Sequence, residues 1–337
     1  VKGSFAALVA FAFIASTSRT QACAGCRNPT MPLVRSGEGP LGERTLRLGA
    51  ALTGTYARVR HEAGCPDLER CAEVPVQPLY VHDQRLYPIE LRLTAEYGFT
   101  RHFGVELQAP FRLIRTSIEY TTPAGAPYEP LDPGVHHRNE TVAGPSDFWL
   151  LYRAGTTLGG VWFALRSGFS LPLGRTEEDP FALGDRGISH QHIQLGSGTF
   201  DPVGILEASR VFGALSVQAF AQAQASLYEN GHGYRAPVRL YGGASVGHAL
   251  FGDFRGMLGL EALHESAERW SGVVRQDGSL GRSELLAALT LVWSREETEL
   301  RASARPTLAR HIVRGSEDPG ELESPLVMTL SVSHELH

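Results

Sequence analysis

Apolar residues along this chain recur at every second position. Tyr87, Ile89, Leu91, Leu93, Ala95, Tyr97 and Phe99 share one parity, and Glu90, Arg92, Thr94 and Glu96 take the other. A period of two held over a dozen residues specifies an extended strand with one apolar and one polar side. The same alternation sets Phe103, Val105, Leu107, Ala109 and Phe111 against Glu106, Gln108 and Arg112. It returns in Val161, Phe163 and Leu165 opposite Arg166, and at odd positions from Leu215 to Leu227 opposite Gln218, Gln222 and Gln224. Leu285 to Trp293 and Leu326 to Val332 repeat it once more. About twelve strands are predicted, at 44–60, 86–99, 103–121, 147–158, 161–174, 201–212, 214–228, 236–249, 254–264, 283–295, 298–312 and 324–336. No segment carries a helical period.

The connections sort by length. Tight turns fall at 100–102, 159–160, 213, 251–253 and 296–297, and long polar stretches near 61–85, 122–146, 175–200, 229–235, 265–282 and 313–323. Short and long alternate along the whole chain, as in outer-membrane barrels with tight periplasmic turns and extended external loops. Closure of the barrel pairs every backbone N–H and C=O inside lipid. Phe99, Phe103, Phe212, Phe251, Phe254 and Trp293 stand beside the short turns, where an interfacial aromatic girdle belongs. A soluble sandwich of the same strands has no reason to sort its loops in this way. The expected fold is therefore all-β: an antiparallel transmembrane β-barrel of about 12 strands over residues 44–337. The expected location is the outer membrane of a Gram-negative bacterium. Membrane lipid and the barrel-assembly machinery are the implied partners, with Leu336 substituting for the terminal aromatic that such barrels commonly present.

Residues 1–22 read as a secretory signal peptide: Lys2, the short apolar run from Phe5 to Ala15, then a polar stretch ending in small residues. Cleavage fits after Ala22 or Ala24. Residues 23–43 form an N-terminal segment that stays periplasmic or folds inward as a plug. Export puts the cysteines in an oxidising compartment. Cys65 with Cys71, and Cys23 with Cys26, are the simplest of the possible pairings. Acylation of Cys23 is a further alternative, and Arg27 after Cys26 excludes a c-type haem site.

Composition changes the picture little. Lys and Arg total 31 against 36 Asp and Glu, a net charge of -5, so no basic surface for nucleic acid is implied. The polar faces hold both signs: Glu90, Arg92, Glu96, Glu106, Arg112, Arg153, Arg166, Arg239, Glu261, Arg301 and Arg305 are the candidate lumen residues. They make either ion pairs across the lumen or a polar conduit, since twelve strands lie between filled barrels of about 8 and open ones of about 16. Histidine is concentrated in the predicted loops. His136 and His137, and His190 and His192, are the tightest groups, and imidazole at such spacing suits zinc or copper. No other cofactor is expected. Neither is catalysis: the one His-x-Ser, His264-Glu265-Ser266, has none of the three asparagines close behind it in sequence.

Three stretches carry a family resemblance. Gly144-Pro145-Ser146-Asp147 precedes a strand where the family shows Gly-x-Gly-Asp, with Ser146 in place of the second glycine. Leu171-Pro172-Leu173-Gly174 is similar to a Leu-Pro-x-Gly closing a later strand, and Gly196 to Pro202 (GSGTFDP) to a Gly-Thr-Gly…Asp-Pro signature. Together, mainly over 144–250, they resemble the outer-membrane transporter family named for the MetA pathway of phenol degradation. The resemblance implies a transport barrel for a small solute, hydrophobic or aromatic in class, and brings no catalytic residues. The alternatives are a metal- or partner-binding barrel that works through its histidine-bearing loops, and a structural anchor without flux.

Overall fold

In the computed structural model of the chain, the described residues are 39–65, 77–130, 139–184, 186–190, 192–275, 279–313 and 321–337. The expected signal peptide and all four pairing cysteine side chains (Cys23, Cys26, Cys65 and Cys71) lie outside what is described, as do His136 and His137. Twelve long strands form one closed antiparallel sheet. They are β1 (Leu46–Thr55, continued by Ala57–Cys65), β2 (Gln77–Gly98), β3 (Phe103–Thr121) and β4 (Glu140–Pro145, continued by Phe148–Leu158). Then come β5 (Val161–Leu171), β6 (Asp201–Phe212), β7 (Leu215–Gln224), β8 (Arg239–Ala249) and β9 (Phe254–Glu265). The ring is completed by β10 (Arg282–Arg295), β11 (Thr298–Ile312) and β12 (Glu321–Glu323, continued by Leu326–Leu336). Each pairs with its neighbours in sequence, and β1 closes the ring on β12 with Leu46 opposite Leu336 and Thr55 opposite Val327.

Parity decides which side chain meets which medium. Leu91 is 40% exposed on the outer wall, whereas Arg92 beside it is 2% exposed inside. The same division holds for Leu107 against Glu106, Leu165 against Arg166, and Leu330 against Thr329. A wall apolar outside and polar inside is stable only with hydrocarbon outside. Among the described residues no helix is long and apolar enough to cross a membrane, so the strands do the crossing. Above Tyr87 the outer face of the β1–β3 wall turns charged, with Arg58, Arg85 and Glu119 linked through Asp83 (Arg85 Nη2 to Glu119 Oε2, 3.0 Å). That change of composition marks the end of the apolar belt. At the opposite rim Phe103 stacks on Tyr152 at 6.0 Å and Phe251 meets Phe254 at 5.2 Å, beside the short turns.

Several boundaries differ from expectation, among them the start of β4 at Glu140 rather than 147 and the end of β7 at Gln224 rather than 228. β2 starts at Gln77 rather than 86 and β1 runs on to Cys65, so this hairpin stands well above the belt. Within the extension Tyr80 stacks on Tyr128 at 5.0 Å and His82 on Tyr120 at 5.3 Å, contacts that tie β2 to β3 and the loop after it at this height. β5 stops at Leu171 because Pro172 has no N–H to donate. A short helix, Pro180–Gly184, occupies a region read as loop; Asp179 caps it by accepting the N–H of Phe181 at 3.0 Å.

Candidate functional site

The inside of the barrel is filled at two levels by different means. Near the short turns, the antiparallel register sets Glu96 opposite Glu106 and Arg153 opposite Arg166. Like charges directly across a ladder repel, and the two pairs relieve each other. Arg153 Nε lies 2.9 Å from Glu96 Oε1, and Arg166 Nε lies 3.0 Å from Glu106 Oε2. Arg47 from β1 adds a contact to Glu96 at 3.2 Å, and Glu207 from β6 takes Arg166 Nη1 at 3.0 Å. Glu96, Glu106, Arg153 and Arg166 are all buried. These side chains narrow the lumen from the wall itself.

Toward the external end the filling is a loop. Residues 172–200 leave β5, turn back into the barrel, and rejoin the wall at β6. Ile193 and Leu195 are buried against Ala57, Leu86, Ile114 and Val142 of the inner wall. The two ends of the loop meet on one carboxylate. Asp147 Oδ1 accepts the Gly174 N–H at 3.0 Å, and Oδ2 accepts the Ser197 N–H at 2.6 Å and the Ser197 hydroxyl at 2.8 Å. The Ser146 hydroxyl donates to the Leu195 carbonyl. Asn230 donates to the Ser197 carbonyl at 3.0 Å from the next external loop.

The wall supplies this latch by a defect in its own ladder. Gln108 pairs with Trp149 and Phe111 with Pro145, so the stretch 109–110 on β3 faces 146–148 on β4. One extra residue is a β-bulge, and it shifts the parity of the strand. As a result Ser146 and Asp147 are consecutive and yet both buried inside. The glycines then make room: a Cβ on Gly174 would come within 2.6 Å of the Gly196 Cα, and one on Gly196 within 2.7 Å of the Gly174 Cα. The three stretches that carried the family resemblance, far apart in sequence, are the parts of this single contact.

The candidate lumen residues all lie on the inner side. Glu90 and Arg92 pair at 2.7 Å, Arg112 Nε reaches Glu90 at 2.7 Å, and Arg92 covers the Trp149 ring at 5.1 Å. Arg305 Nε meets Glu261 at 2.9 Å, Arg239 Nε meets Glu265 at 3.0 Å, and Arg301 pairs with Glu299 at 2.9 Å. Between the loop and the β7–β9 wall a cavity of about 40 Å³ remains, lined by Arg112, Trp149, Ser197, Gln222, Arg239 and Tyr241 among others. Apolar inner-wall residues stand next to it, with Trp149, Leu151, Val203 and Ile205 in one buried cluster.

The histidines divide. His190 and His192 come together, Nε2 to Nε2 at 3.1 Å, with His192 against Phe181 of the same loop. No group of three or more potential metal ligands forms among the described residues. His264 contacts the Ser283 hydroxyl at 2.9 Å, while Ser266 Oγ accepts the Val238 N–H at 2.9 Å, so His264 and Ser266 do not act as a pair. Asp147 and Ser197 were visible in the sequence only as motif members. Their signal was the motif itself, at the borders between long polar stretches and the strands that follow them.

The wall, its belt and its loop asymmetry define an outer-membrane β-barrel. No family model matches the chain, and no curated protein matches it. Among solved structures, the COG4313 outer membrane channel from Pseudomonas putida F1 is similar over 90% of this chain and 100% of that one, with TM-score 0.60 and 13% identity. A Pseudomonas aeruginosa FadL homologue is more distant, at TM-score 0.42 and 9% identity over 87% and 91% of the two chains. The Ralstonia pickettii toluene transporter TbuX follows at TM-score 0.37 and 7% identity, over 88% and 90%. At these identities the likeness is one of fold.

Proposed function

We propose that the chain is a channel carrying a small solute across the outer membrane, closed by the 172–200 loop and opened by that loop's withdrawal. The observation that carries this reading is the convergence of Gly174, Ser197 and Asp147 inside the lumen. A structural anchor has no need of a loop fastened inside its own bore by a dedicated wall bulge. The buried patch of Trp149, Leu151, Val203 and Ile205 on an otherwise polar inner wall favours a solute with a hydrophobic or aromatic part. That the latch is built from the three stretches resembling the MetA-pathway transporter family supports placing the chain near that family.

Planar-bilayer recording tests the reading. Brief, rare openings are expected from the wild type, and longer, more frequent ones from Asp147→Ala. Electrical silence of both proteins, each shown to be folded by heat-modifiable mobility, would overturn it.

A further inference from the structure

We propose that the lumenal cavity beside the latch is a carboxylate-binding station for small organic acids with an apolar, ring-bearing body. The proposal rests on the reading of the barrel as a solute path and names the solute class. Arg112 on β3 and Arg239 on β8 border the cavity from strands five places apart in a ring of twelve, so they reach it from opposed walls. Each spends one N–H on a carboxylate: Arg112 Nε on Glu90 at 2.7 Å, and Arg239 Nε on Glu265 at 3.0 Å. Among the described residues the Nη groups of both arginines make no hydrogen bond, which leaves two planar donor forks at one small space. A carboxylate accepts such forks two bonds at a time.

The charge balance points the same way. Glu90 is shared by Arg92 and Arg112, which leaves one positive charge over. Glu265 and Glu284 are shared by Arg239, Arg282 and Arg310, which leaves another. Asp147 on the cavity wall offsets one of these, its oxygens being turned onto Gly174 and Ser197. Asp201, behind Gln224 at 3.4 Å, is occupied by Ser226 at 2.8 Å, so the guanidinium groups of Arg112 and Arg239 are the positive charges that border the cavity with donors unspent. Gln222 adds a donor: it is 6% exposed, borders the cavity, and its buried Nε2 has no hydrogen-bond partner among the described residues. A buried amide N–H without an acceptor is costly and is stabilised by a ligand oxygen.

Apolar walls select the body of the ligand. Trp149, Tyr241 and Leu263 border the same space, and a bare inorganic anion makes no use of them. The cavity of about 40 Å³ holds a carboxylate head but not a ring. Leu195, Gly196 and Ser197 form one side of it, so withdrawal of the 172–200 loop supplies the remaining room. Binding and opening are thereby linked at one place.

Benzoate is the probe, followed by quenching of tryptophan fluorescence and by calorimetry on purified protein in detergent. Benzoate is expected to bind, more readily in Asp147→Ala than in wild type, while benzyl alcohol and inorganic phosphate bind at least tenfold more weakly. Arg112→Gln with Arg239→Gln should lower benzoate affinity by more than tenfold, and Gln222→Ala by about threefold. Folding should survive, because Glu90 keeps Arg92 and Glu265 keeps Arg282; heat-modifiable mobility checks this. The outwardly placed Arg210→Gln serves as the charge control. The station is refuted by benzoate failing to bind both wild type and Asp147→Ala, by unchanged affinity in the double variant, or by equal affinity for phosphate or benzyl alcohol. None of these measurements needs flux, so benzoate binding without conductance would sink the channel reading and leave the station standing.

Discussion

The two ends of the lumen are narrowed in different ways. At the periplasmic end the constriction is made of wall side chains, Glu96, Glu106, Arg153 and Arg166, held by cross-strand register. To widen it, ladder bonds would have to break or four buried charges would have to part. At the external end the closure is a loop fastened by donors from Gly174 and Ser197 to one carboxylate. On the proposed reading it would open by exchanging a few hydrogen bonds for water and uncovering Ile193 and Leu195. A plug that belongs to the wall gives rigidity, and a plug that is only tied to the wall gives a movable part.

The largest expected effect falls on the rigid end. Glu96→Ala leaves Arg153 without its acid, and Arg153 is 0% exposed, so water cannot replace the carboxylate. Removing one partner of a buried ion pair costs roughly 3–5 kcal/mol. Urea unfolding from lipid vesicles should register that loss, while access to the 172–200 loop stays as in wild type. A loss below about 1 kcal/mol would mean that the charges are already screened by water and that the periplasmic end is not rigid. Asp147→Ala should reverse the pattern. It removes hydrogen bonds to a charged group, about 1.5–3 kcal/mol each, all of them within the loop contact. Global stability should change little, whereas trypsin should cut far faster after Arg175 and Arg186 on intact cells. Equal cutting in both proteins would break the distinction between the two ends.

Gly174→Ala is a gentler version of the same test. Its methyl would enter the Gly196 backbone at 2.6 Å, and backbone cannot swing aside as a side chain does. Such crowding costs about 1–3 kcal/mol, again confined to the loop. Trypsin sensitivity between wild type and Asp147→Ala is expected; wild-type resistance would show that the loop and the bulge are not in close contact.

Much of the wall was legible because membrane strands obey a period of two, and the alternation at 87–99 assigned Leu91 to lipid and Arg92 to the lumen without ambiguity. What escaped were the places where parity changes. The bulge at 146–147 and the register shift opposite Leu285 and Leu286 each add a residue, which is why Arg310, an even position on a strand with odd positions inside, still reaches Glu284 at 2.7 Å. A bulge is a property of two strands together, and one strand's sequence does not contain it. The inward loop escaped for a related reason. Ile193 and Leu195 sit in a polar, glycine-rich stretch with no period, and two apolar residues in a loop do not announce what they pack against. The motifs around Gly144, Gly174 and Gly196 did mark the site, although only geometry showed them to be one site.

The smallest effect tests the finest feature of the comparison. Ser146 stands where the resembled family carries glycine, and its hydroxyl donates to the Leu195 carbonyl, a second fastening beside Asp147. Ser146→Gly deletes that bond while leaving the bulge and the carboxylate in place. A neutral hydrogen bond contributes about 0.5–1.5 kcal/mol, so the open population should rise by roughly two- to tenfold. The Leu195 carbonyl loses its acceptor role inside the barrel, and the added freedom of glycine at the bulge favours loosening in the same direction. Bilayer recordings should therefore show openings more frequent than in wild type and much rarer than in Asp147→Ala. An open probability matching that of Asp147→Ala would mean that the serine hydroxyl is the principal fastening and the carboxylate only orders the turn around Ser197.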